Sequence, residues 1–139
     1  MGNRARGSVS AAIDVRLVVS GEHRLAVPVD LRYDPSDPYA VHATFHAGDN
    51  AVEWVFARSL LADGMYRPSG EGDVRVWPGG LGGQAVLIAL TSPDGAALVE
   101  APRAALAAFV ARTYAVVPGG TEGSHLDLDR AIGRLLADA

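Results

Sequence analysis

Two histidines, His42 and His46, stand four residues apart in DPYAVHATFH. On a helix that spacing stacks both imidazoles on one face, where they could share a zinc ion, whereas on a strand it spans roughly 13 Å. Secondary structure therefore decides the chemistry. Tyr39, Val41, Ala43 and Phe45 alternate with Ala40, His42, Thr44 and His46, bracketed by Pro38 and the GDN turn, which reads as a strand. The pair is expected to hold no metal. His125, Asp127 and Asp129 in HLDLD could also attract a divalent ion, but carboxylates at a helix start are explained by the macrodipole alone. Ser20, Glu22 and His23, or Ser124, His125 and Asp127, carry the residue types of a hydrolytic triad. Near neighbours in sequence rarely take up triad geometry, so turns explain them better. Asp34 and Asp37 of DPSDP lack the glycine and distal glutamate of an EF-hand and read as a turn. GGLGGQ leads into the strand-like AVLIAL, not into a helix with a P-loop lysine. The expectation is no catalytic site, no metal and no cofactor.

What must position these residues is bounded by composition. At 139 residues with 49% hydrophobic content, the chain suits one domain, 1–139, with residues 1–12 expected to be flexible. Zero cysteines exclude disulfides, thiolate metal sites and cysteine nucleophiles. All 12 basic residues are arginine, so no Schiff-base or P-loop lysine exists, and a net charge of −4 without a basic cluster disfavours nucleic acid. No apolar run approaches the roughly 20 residues that cross a bilayer, and MGNRARGSVSAAI lacks a signal peptide's apolar stretch. A cytosolic protein without membrane insertion is expected.

The elements follow from periodicity. Ile13, Val15, Leu17 and Val19 alternate as a first strand, and RLAVPVDLRY is a second, with Pro28 placing that strand at an edge or bulge. DPYAVHATFH and AVEWVFAR form a hairpin, and RSLLADGM a short helix that Gly64 ends as a left-handed cap. VRVWP is a fifth strand, QAVLIALTS a sixth buried on both faces, and AALVE a seventh. From Pro102, a natural first helical residue, Leu106, Phe109, Val110 and Thr113 recur at helical spacing to about Tyr114. A last helix capped by Asp127 or Asp129 presents Ile132, Leu135 and Leu136. The class is α+β, a mostly antiparallel sheet of about seven strands with helices packed on it. So apolar a chain is expected to keep an apolar interface, with Leu60, Leu61, Met65 and Trp77 as candidates. A short helix also buries leucines within its own domain, which is the competing expectation for the first three.

PVDLRYDPSDPYAVHATFH, VEWVFARSLLADG, RPSGEGDVRVWP, IALTSPDGAALVEAP and PGGTEGSHLDLD together resemble the SsgA-like proteins, regulators of sporulation and cell division in actinobacteria. The resemblance runs from about Val15 to the C-terminus. It implies a non-enzymatic protein that marks septum sites and recruits the tubulin-like division protein FtsZ, with SsgA as a further candidate partner. It also implies a homotrimer with a fold like the Whirly single-stranded DNA-binding proteins. The alternative, a single-stranded nucleic-acid-binding module, is the activity of that ancestral fold.

Overall fold

A computed structural model describes residues 7–126. Seven strands form one antiparallel sheet: β1 (Val9–Val18), β2 (Arg24–Tyr33), β3 (Ala40–Ala47), β4 (Asn50–Ala57), β5 (Val74–Gly79), β6 (Ala85–Ser92) and β7 (Gly95–Pro102). The order across the sheet is β4-β3-β2-β1-β7-β6-β5. Helix α1 (Arg58–Gly64) follows β4, and helix α2 (Arg103–Val116) follows β7. The expected α+β class stands. β1 opens at Val9, so the sheet begins inside the stretch expected to be flexible.

Alternation sets one face of the sheet inward. Val9, Ile13 and Val15 of β1, Val27, Val29, Leu31 and Tyr33 of β2, and Val41 and Ala43 of β3 are buried, with Ala11 packed beside them, while the residues that alternate with these face outward. α1 packs against both β4 and β5, the two edges of the sheet. Laid flat, seven strands at ~4.8 Å spacing would hold those edges about 29 Å apart, whereas a helix of this length spans about 10 Å. The sheet therefore curls around its helices. α2 lies over β1 and β7 with Leu106, Phe109, Val110 and Thr113 buried, the face read from sequence, and continues two residues beyond Tyr114.

Four local expectations are corrected, and the one at Pro28 stands. Gly64 is not a left-handed cap, since positive φ angles fall on other glycines and Met65 beyond it is helical. Its reason is close packing: a Cβ there would lie 2.3 Å from Val76 Cγ1. Pro102 ends β7 and stands before the helix as its N-cap residue instead of opening it. β6 buries Val86, Ile88 and Leu90 on its inner face, but Ala85, Leu87 and Ala89 outside are only half-buried, because among the described residues no helix covers the outer face there. Pro28 sits in a strand interior to the sheet, yet β2 pairs with β3 only from Val29 onward, so β2 is locally an edge at the proline. Residues 122–126 are already helical, ahead of the expected cap at Asp127 or Asp129. Those two aspartates, Ile132, Leu135 and Leu136 lie outside the described residues.

Candidate functional site

The histidines of β3 project from the outer face and go to separate partners. His42 Nε2 lies 3.2 Å from Asp37 Oδ2, and His46 Nε2 lies 2.8 Å from Asp30 Oδ2. Glu53 Oε2, beside His42, pairs with Arg32. Among the described residues no three side chains of ligand type converge. Ser20 Oγ and His23 Nδ1 are 2.9 Å apart in the exposed β1–β2 turn, where the His23 carbonyl also accepts the Val19 amide. Asp34 accepts both the amide and the hydroxyl of Ser36, an Asx turn as read. On the outer face Asp14, Arg16, Arg24 and Glu100 border an open cleft of about 620 Å³. Arg24 donates to Glu100 and to the carbonyls of Ser20, Gly21 and His23, and Arg16 Nε lies 4.0 Å from the same carboxylate.

A buried arginine that sequence reading missed organises the helical end of the molecule. Arg58 opens α1 and is 1% exposed. Its Nη1 donates to the carbonyls of Thr113 and Val117 at 3.0 and 2.8 Å, and its Nη2 to Glu122 Oε2 at 2.7 Å. The guanidinium stacks 3.8 Å from the Tyr114 ring centroid and 5.0 Å from that of Tyr33. Arg58 Nε has no partner among the described residues. Carbonyls at a helix C-terminus lack intrahelical donors and carry partial negative charge, so a cation placed there satisfies both needs. Arg58 thus ties α1, the end of α2 and the chain beyond it into one unit. The local sequence FARSLL gives no sign of this, because the hydrogen-bond partners of the side chain lie more than fifty residues away.

The hydrogen bond from Arg58, with those of the backbone amides of Glu122 and Gly120, holds the Glu122 carboxyl below the usual carboxylate range. Burial pushes the Tyr33 hydroxyl, which donates to the Pro38 carbonyl at 2.9 Å, up to about 12. Stability has corresponding limits. The Glu122 contribution is complete above its ordinary value of about 4.5 and is lost as pH falls through the lowered value of the folded state. The Tyr33 contribution is complete below 10 and is lost as pH rises from 10 toward about 12. Chemical unfolding at a series of pH values should show both falls, and Glu122→Gln should flatten the acid one.

The interface candidates from sequence separate. Leu61 and Met65 are buried in the core at 0% and 5% exposure, the role a short helix gives its own leucines. Leu60 is half-buried against that core. Trp77 is half-buried on the outer face of β5, opposite Leu87 in register. The open apolar surface is elsewhere. Helices cover one half of the inner face, and the other half carries a groove of about 210 Å³ lined by residues such as Leu17, Val27, Phe45, Val52, Trp54 and Leu90. Apolar walls without convergent polar groups suit binding of apolar side chains.

The fold and this surface define an α+β protein with one curled antiparallel sheet, two helices inside the curl and an apolar groove. Residues 27–122 match the family described as Streptomyces sporulation and cell division protein, SsgA. The chain belongs to that family. It is 58% identical over 134 residues to the sporulation-specific cell division protein SsgB of Streptomyces coelicolor, covering 95% of this chain and 98% of the relative. It is 52% identical over 134 residues to the protein of the same name from Salinispora tropica, covering 94% of each. A crystal structure of an SsgA-like sporulation-specific cell division protein from Thermobifida fusca superimposes with a TM-score of 0.86 at 41% identity, covering 96% of this chain and 98% of that one. A second solved structure, from work on SsgB mutations that correlate with longitudinal cell division during sporulation of Streptomyces coelicolor, gives 0.82 at 60% identity, covering 85% and 94%.

Proposed function

We propose that the chain is a non-enzymatic regulator of sporulation-specific cell division that marks septum sites in the cytoplasm and recruits FtsZ, acting as a homotrimer with SsgA as a further candidate partner. The observation that carries this reading is near full-length identity with relatives that bear a sporulation-specific cell division name. The geometry agrees with it in kind. The histidines of β3 are paired with neighbouring carboxylates on the outer face, while an apolar groove is left uncovered among the described residues. No helix among the described residues is long and apolar enough to cross a membrane. A fluorescent fusion in a sporulating host should form ladders of foci before septation, and purified protein should co-sediment with polymerised FtsZ. Diffuse fluorescence throughout sporulation, together with a monomer that never sediments with FtsZ, would overturn the reading.

A further inference from the structure

We propose that the edge of β4, unpaired among the described residues, captures an extended segment of a partner protein in which apolar and basic residues alternate, adding it to the sheet as a further strand. The inference rests on the recruiter reading above and supplies the surface that the reading requires.

The two edges of the sheet are finished differently. On β5, Val76 exchanges two backbone hydrogen bonds with Ser69 at 2.8 and 2.9 Å, and Pro78, two residues on and on the same side, has no amide to offer. That edge is closed. β4 is an edge of eight residues with neither proline nor lysine, and Val52 and Val55, on opposite faces, are both 48% exposed. Proteins ordinarily guard such edges, because a row of free amides and carbonyls templates another strand.

The ladder identifies the free groups. The Arg58 amide donates to the Tyr39 carbonyl at 2.8 Å across the Ala40–Ala57 pair, which makes that pair a non-hydrogen-bonded one. Alternation then turns the amides and carbonyls of Val52, Trp54 and Phe56 toward β3, and those of Ala51, Glu53 and Val55 outward. A strand laid there meets the apolar groove beside Val52 and Trp54 on its inner side. On its outer side it meets Glu53, which holds Arg32, with Asp49 in the preceding turn; Asp37, bonded to His42, and Asp30, two strands further in and bonded to His46, keep the carboxylates in excess of the arginine there. Backbone bonds would supply affinity, and alternate side chains specificity. Apolar residues fit inward and lysine or arginine outward. A second copy fits less well, because pairing β4 with itself brings two acidic outer faces together.

The test titrates the purified full chain, at ~50 mM salt where surface charge is weakly screened, with a fluorescein-labelled nonapeptide of alternating lysine and leucine. Two controls replace lysine by glutamate or shuffle the order. Binding of the alternating basic peptide should exceed both controls by about ten-fold or more, and Val55→Pro, which removes one outward amide, should cut it by about ten-fold. Glu53→Lys should move the preference toward the glutamate peptide. Equal binding of the shuffled peptide, or full binding by Val55→Pro, overturns the proposal. If Val55→Pro lowers the mass of the wild-type assembly, the edge belongs to a second copy and the proposal also falls. The titration needs no FtsZ and no septum, so its failure is distinguishable from failure of the recruiter reading.

Discussion

Leu61→Asp should abolish the folded state. Leu61 is fully buried beneath the curl, among Ile13, Val29, Phe56 and Leu106. Removing a buried leucine side chain costs about 2–5 kcal/mol, and an unpaired carboxylate in the same place costs several more. A domain with about 5–15 kcal/mol in total does not withstand that sum. Circular dichroism should show no cooperative thermal transition, and the variant should be recovered mainly as aggregate. Leu61→Ala should fold with a urea midpoint lowered in proportion to the smaller loss. The outcome that would reassign the residue is a folded Leu61→Asp that lacks the trimer mass or FtsZ co-sedimentation proposed above for the chain, since only an interface residue separates folding from association.

Leu61 also shows how far periodicity carries. RSLLADGM announces a short helix with an apolar side, and strand alternation around His42 and His46 by itself separates the two imidazoles. Both readings use neighbours within a few residues. What the helix packs against depends on the strand order, and the placing of β1 beside β7 comes from contacts more than eighty residues apart, at Arg16–Glu100 and Leu17–Val99. Without that order there is no curl, and without the curl the groove and the unequal edges are invisible. Gly64 shows the same boundary on a small scale. A glycine at the end of a helix suggests a left-handed cap, but here its missing side chain makes room for Val76, a neighbour only in space.

Arg58→Ala is the second large expected effect, with a loss of about 3–5 kcal/mol, the range for breaking a buried ion pair by removing one partner. Deleting the guanidinium leaves the Thr113 and Val117 carbonyls without their donor at the end of α2 and leaves Glu122, whose side chain is 16% exposed, without its cation. It also leaves a cavity between the rings of Tyr33 and Tyr114. Arg58→Lys should recover only part of the loss, because one ammonium cannot repeat a fork that reaches two carbonyls, a carboxylate and a ring face together. Arg58→Met with Glu122→Gln separates volume from charge: filling the space without a buried charge should restore much of the urea midpoint, as apolar replacement of buried pairs often does. The acid-limb fall in stability should disappear in the same double variant, because the carboxyl whose lowered value causes it is gone. If Arg58→Ala instead unfolds within about 1 kcal/mol of wild type, Arg58 does not bind the end of α2 to α1, and the order of the chain beyond Val117 has another source.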